Sequence, residues 1–130
     1  MIEQRKILAA AGLAILLAIP AAFAGGNSWL IGNWARDDGT VRILISPCGT
    51  DLCAVNTWVQ KQDGQEKIGD KLILDLQPVT ASQLQGQAYD VRRQKHFKVT
   101  ITLQSGTAMQ TRGCVLLGIL CKSAGWTRSD

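Results

Sequence analysis

The sequence predicts an exported all-β domain, a small antiparallel up-and-down barrel of about eight strands. Three observations lead there. Short runs alternate apolar and polar side chains with period two, turn residues punctuate the junctions between them, and four cysteines all follow an export-like leader.

The leader comes first. Arg5 and Lys6, softened by Glu3, precede a charge-free apolar stretch from Ile7 to Ala24. Pro20 would end a helix just before Ala22-Phe23-Ala24, which offers small residues at both positions a signal peptidase reads. Residues 1–24 are therefore expected to be a cleaved signal peptide, and 25–130 a single barrel domain that is periplasmic or secreted. A retained anchor is the alternative, because roughly 18 apolar residues just suffice to span a bilayer. Gly25 stands where a lipoprotein would carry cysteine, so no lipid anchor is expected.

The strands can be taken in order. A Trp-bearing segment ending near Arg36 turns at Asp37-Asp38-Gly39 into Val41–Ile45. Ala54–Lys61 is the next strand, ended by Gln62-Asp63-Gly64. Leu72–Leu76 and Leu84–Tyr89 follow, separated by Pro78 and a polar stretch. The clearest run is Phe97–Leu103, with Phe97, Val99, Ile101 and Leu103 on one face and Lys98, Thr100 and Thr102 on the other. Ser105-Gly106 turns it towards Ala108–Cys114, and a short strand at Trp126-Thr127-Arg128 completes the set. Beyond the leader no stretch has a convincing helical period. A barrel is expected rather than a sandwich because closure removes exposed strand edges.

The cysteines act as staples. An even count in a small exported domain reads as two disulfides. Of the three possible pairings, Cys48–Cys53 and Cys114–Cys121 are the expected ones, each worth about 2 kcal/mol through the unfolded chain. Zinc is the competing use of four cysteines, but C-x4-C and C-x6-C are wide for a zinc ribbon, so no metal or other cofactor is expected.

Charge and chemistry exclude several function classes. The chain carries a formal +4, and without Glu3, Arg5 and Lys6 it carries +3. Those charges are too few and too dispersed for nucleic acid. Contact with a membrane is expected only during export. Bonded cysteines leave no thiol nucleophile, and His96 is the only histidine. Asp37 and Asp38, adjacent in a D-D-G turn, do not converge as an acid/base pair. The chain is not expected to be an enzyme.

Several short patterns recur in order: Gly32-Asn33-Trp34-Ala35-Arg36-Asp37-Asp38-Gly39, Cys48-Gly49-Thr50-Asp51-Leu52-Cys53, Gly86-Gln87-Ala88-Tyr89-Asp90, Gly113-Cys114-Val115, and the closing Gly125-Trp126-Thr127-Arg128. Together they resemble an exported bacterial family known as domain of unknown function 2147. Gln85 and Val91 flank the Gly86–Asp90 pattern where that family usually carries glycine or proline. The resemblance implies a lipocalin-like barrel in the periplasm and supplies no activity. Gly32-x-Trp34 also looks like the lipocalin start signal, in which an arginine from a late strand covers the tryptophan. Arg128 is the candidate for that arginine, with Arg112 second. Trp34 and Arg128 would then be structural.

Two functional expectations follow. The first is a binding module for a small apolar or amphipathic ligand, with Ile43, Leu74, Phe97, Val99 and Ile101 facing inward and Trp58 near Arg42 and Lys61 adding to the contacts. A packed core would present the same inward pattern. The second is a protein-interaction module, an envelope scaffold or an inhibitor of a secreted enzyme, anchored by Leu116, Leu117 and Ile119 in the aliphatic run Val115–Leu120. Hairpin tips are normally polar, so this run either projects towards a partner, membrane surface or ligand portal, or folds back as a flap over one barrel end. The flap is the expected arrangement.

Overall fold

The computed structural model describes residues 28–129, so the expected signal peptide lies outside the described residues. A one-turn 3-10 helix, Ser28–Leu30, precedes eight strands: β1 (Gly32–Arg36), β2 (Val41–Cys48), β3 (Asp51–Val59), β4 (Lys71–Thr80), β5 (Gln83–Asp90), β6 (Lys95–Ser105), β7 (Ala108–Val115) and β8 (Leu120–Arg128). They close into a barrel in chain order, each strand antiparallel to its neighbours, with β1 pairing β8.

Alternation decides which side chains face inward. On β2, Val41, Ile43 and Ile45 are buried while Arg42 and Leu44 are exposed. One core cluster joins these to Leu30, Trp34, Leu52, Leu74, Leu84, Val99, Ile101, Met109 and Trp126. Each large aliphatic side chain so buried stabilises the fold by about 1.5–3 kcal/mol.

Three strand readings need correction. Pro78 does not break a strand, because β4 continues through it and pairs Pro78 with Leu84. Proline lacks a donor, and it is tolerated here because β3 pairs with β4 only across Lys71–Leu74, leaving that side of Pro78 free. β8 starts at Leu120 rather than near Trp126, its added length pairing with the whole of β7. In β3 the register shifts opposite Arg42 and Ile43, so that Arg42 faces Trp58 while Ile43 faces Asn56. The unpaired Thr57 is a bulge, and it reverses the side on which the following residue points.

Glycine shapes the wall at Gly86, where a Cβ would stand 1.9 Å from the Asp75 carbonyl oxygen. The strand therefore approaches its neighbour more closely there than any side chain permits, just where β4 parts from β3.

The two ends are closed differently. At one, Leu30 is fully buried and its carbonyl accepts the Trp34 indole N–H at 2.9 Å. The Arg128 guanidinium sits 4.4 Å from the Trp34 ring centre and donates to the carbonyls of Trp29, Ile31 and Gly106. Arg128 thus covers Trp34, and Gly32 leaves room for it, since a Cβ there would meet the guanidinium at 2.7 Å.

At the opposite end the polar loop 60–70 crosses the mouth. Glu66 takes two hydrogen bonds from Arg36, at 2.8 and 2.9 Å, while the Gln65 carbonyl accepts from Arg92 and Arg93. Arg36 ends β1 and the other two arginines lie in the β5–β6 turn, on the far side of the ring. The mouth is therefore strapped by this loop. The expected flap is therefore corrected: the aliphatic run Val115–Leu120 does not cover this mouth, and its side chains are exposed.

Candidate functional site

The most unusual surface lies where β7 meets β8. The hairpin pairs Cys114 with Cys121 and Val115 with Leu120, leaving residues 116–119 as its tip. A disulfide joins Cys114 to Cys121 at the base, and a second joins Cys48 to Cys53 across the β2–β3 hairpin, both as expected from the spacing. The aliphatic residues turn away from the barrel. Leu117 is fully exposed, Ile119 is 83% exposed and Leu116 68%, with Leu120 and Val115 also in solvent. The polar strap already occupies the mouth, so the apolar segment has no core position to fill.

The backbone of this tip is unusual as well. Leu116, Leu117 and Gly118 follow one another at φ 53°, 58° and 87°. The Gly118 N–H donates to the Val115 carbonyl, and the Ile119 N–H to that of Leu116. Positive φ at both central residues of such a turn is the place of Asn-Gly, and a β-carbon there costs about 1–2 kcal/mol per residue. Two leucines occupy it, Leu116 gaining little from burial and Leu117 nothing.

Beside the tip, the outer wall of β4–β8 is concave, forming an open groove of about 770 Å³. Its lining is mixed: Gln85, Gln87, Lys98, Thr100, Arg112 and Ser123 reach it beside Val79 and Val99, with Cys114, Gly118 and Cys121 at one rim. Register explains the grouping. Gln85 pairs with Thr100, Thr100 with Arg112 and Arg112 with Ser123, so one row of outward side chains crosses four strands. Lys98 stands directly opposite Cys114. Among the described residues, no carboxylate lies in ion-pair range of Lys98, Arg112 or Lys122.

The other expected contacts do not gather at one place. Ile43, Leu74, Val99 and Ile101 belong to the packed core, and Phe97 is half-buried against it. Trp58 stands outside the barrel, exposed, with the Arg42 guanidinium 5.5 Å from its ring centre. The Thr57 bulge is the reason. His96 is exposed on β6 and packs against Tyr89, ring centroids 4.6 Å apart. Asp37 and Asp38 form the expected turn, Asp37 accepting from Thr127 at 2.8 Å and Asp38 from the Thr40 hydroxyl at 2.6 Å. Sequence reasoning missed this groove, although the alternation that sends Val99 and Ile101 inward also sends Lys98 and Thr100 out.

The electrostatics at the strapped mouth are structural. Hydrogen bonding from the Arg92 guanidinium holds the Asp70 carboxyl below its usual range, against a smaller opposing effect of burial. The Thr40 hydroxyl and amide, followed by Arg36, do the same for Asp38. Asp90, buried, accepts from the Arg93 side chain at 2.7 Å and from its amide at 3.1 Å. These pairs fix the loop and the β5–β6 turn in place.

Comparison with known proteins agrees with the fold. A solved structure described as a redesigned beta barrel superposes with a TM-score of 0.52 at 16% identity, covering 81% of this chain and 96% of that one. No curated protein matches the chain in sequence. A family model described as "uncharacterized protein conserved in bacteria" (DUF2147) matches residues 32–128, from the first residue of β1 to the last of β8. The chain belongs to this bacterial family.

Proposed function

We propose that this protein is a non-enzymatic docking module of the bacterial envelope, working in the periplasm or beyond it. In this reading the rigid barrel presents the aliphatic β7–β8 tip to a partner. The observation that carries it is the pairing of full exposure with left-handed backbone at Leu117. Such a residue adds nothing to folding, so its use lies outside the folded chain. The Cys114–Cys121 bond pre-orders the tip, which lowers the ordering cost of binding. Two disulfides fit an oxidising compartment, and the leader sequence fits export to one.

The inner face supports this reading over a ligand chamber. Its aliphatic side chains pack on one another around Trp34 and Trp126, and both mouths are tied down by arginine hydrogen bonds. Photo-crosslinking in intact cells tests the assignment. A photoreactive residue replacing Leu117 should give an adduct, with lipid or protein, that the same probe at Ser82 beyond the opposite barrel end does not. No adduct at 117, or equal adducts at both positions, would refute the docking role.

A further inference from the structure

The tip's partner can be narrowed by chemistry. Resting on the docking reading above, we propose that the β7–β8 tip docks on an anionic phospholipid surface. Val115, Leu116, Leu117, Ile119 and Leu120 enter the boundary between headgroups and acyl chains. Lys98, Arg112 and Lys122 then stand over the phosphates.

Three features favour lipid over a folded partner. The tip is purely aliphatic, whereas protein hot spots draw on Trp, Tyr and Arg and under-use Leu and Val. It is also small: a stable protein interface recruits about 20–30 residues a side, while a single hairpin tip is enough to insert between lipids. Finally, two of its amides, those of Gly118 and Ile119, are already satisfied within the turn, which lowers the cost of moving them out of water.

Charge supplies the second half of the site. Lys98 is paired in register with Cys114, Arg112 lies two residues before that cysteine on the same strand, and Lys122 directly follows Cys121. The three cations thus flank the base of the tip on three adjacent strands, Lys98 and Arg112 on its outer face and Lys122 on the other, free of carboxylate partners among the described residues. Asp75, the nearest acid in the Lys98 row, is separated from it by the strand carrying Gln87. Aliphatic insertion and phosphate attraction act together in interfacial anchoring, and neither alone gives stable binding.

The barrel would sit on the membrane rather than cross it. Its outer wall carries Gln85, Gln87, Thr100 and Arg112 where a membrane-spanning barrel carries a lipid-facing apolar band. Among the described residues, no helix is long and apolar enough to cross a membrane.

Flotation with vesicles tests the proposal on the folded, oxidised chain. Vesicles of phosphatidylethanolamine and phosphatidylglycerol at 3:1 should carry the protein upward at low salt, and pure phosphatidylcholine vesicles should carry much less. The double variant L116N/L117G should lose roughly tenfold or more in affinity. Replacing Lys98, Arg112 and Lys122 by Gln should cost about fivefold per charge and flatten the salt dependence. Circular dichroism and the unfolding midpoint of each variant establish that the fold is kept. Wild-type protein left in solution with the phosphatidylglycerol vesicles, or L116N/L117G floating as well as wild type, would overturn the lipid assignment. If the Leu117 probe then crosslinks a protein in cells, the docking role stands and only the lipid occupant falls.

Discussion

The Arg128 guanidinium lies 4.4 Å from the centre of the Trp34 ring, on residues paired in register across the seam that closes the barrel. Two residue pairs further along, the same two strands repeat the contact with roles exchanged. Arg36 of β1 faces Trp126 of β8, its guanidinium 5.8 Å from the indole centre. The first and last strands, which share no hairpin, are thus latched by two reciprocal Trp–Arg pairs.

Arg128→Ala should destabilise the protein by about 1–3 kcal/mol, combining the lost cation–π contact with carbonyls left short of a donor. Arg128→Lys should recover little of this. An ammonium cannot stack flat on the indole while reaching the carbonyls of Trp29, Ile31 and Gly106 together. Urea unfolding at constant m-value measures both. A lysine variant as stable as wild type would mean that charge alone is what the seam requires.

Gly86→Ala should cost about 1–3 kcal/mol, because the added carbon meets the Asp75 carbonyl at 1.9 Å and backbone must move to admit it. Gly106 is the control, having open space where its Cβ would stand and no positive φ. Thermal unfolding should separate the two alanine variants clearly. Equal midpoints would show that the β4–β5 wall does not need the close approach at Gly86.

Much of this barrel was legible in the sequence, and the failures have specific causes. Alternation in Phe97–Leu103 fixed both the buried and the solvent face of β6. The seam could be anticipated because Gly32-x-Trp34 and Arg128 lie in recognisable local patterns. The bulge at Thr57 carries no signal of its own, so the face of Trp58 could not be read. The strap was equally hidden, since its bonds join Gln65 and Glu66 to arginines roughly thirty residues away. Without those long-range bonds in view, the aliphatic run is the one segment whose character suits a covered mouth, which is why it reads as a flap. Side-chain character alone does not distinguish an apolar flap from an apolar projection. The competing occupant of the mouth does.

Acid should loosen the strap. Asp70 titrates below its ordinary value in the folded protein because Arg92 donates to it, at 2.7 and 2.9 Å. A depressed carboxyl contributes its stability in full above its unfolded pKa of about 3.9, and loses it as pH falls through the lower folded value. Stability should therefore decline from about pH 4 downward. Arg92→Gln should make that decline shallower. Identical acid profiles for the two proteins would remove Asp70 and Arg92 from the acid response.

Cys114→Ala/Cys121→Ala should lower stability by about 2 kcal/mol, as expected for a loop this short. In the folded state the hairpin ladder from Cys114–Cys121 to Ala108–Thr127 should persist, because its hydrogen bonds do not depend on the sulfurs. Hydrogen exchange would follow both effects. Protection should fall first at Gly118 and Ile119, whose amides close the tip, and remain at Met109 and Trp126 in the core.

The tip itself allows the sharpest separation of folding from use. L116N/L117G places a favoured pair where the backbone holds φ 53° and 58°, and should raise stability by about 1 kcal/mol or more. L116A/L117A should not, because alanine retains the β-carbon that opposes the left-handed region while removing most of the aliphatic surface. Stability would then follow the backbone conformation, and docking would follow the aliphatic mass. Both variants should release the protein from its partner, yet only the Asn-Gly variant should unfold at higher denaturant. A natural chain that forgoes such an accessible gain keeps its leucines for another reason. If L116N/L117G proved less stable than wild type, those leucines would instead contribute to the fold, and the docking role would lose the observation on which it rests.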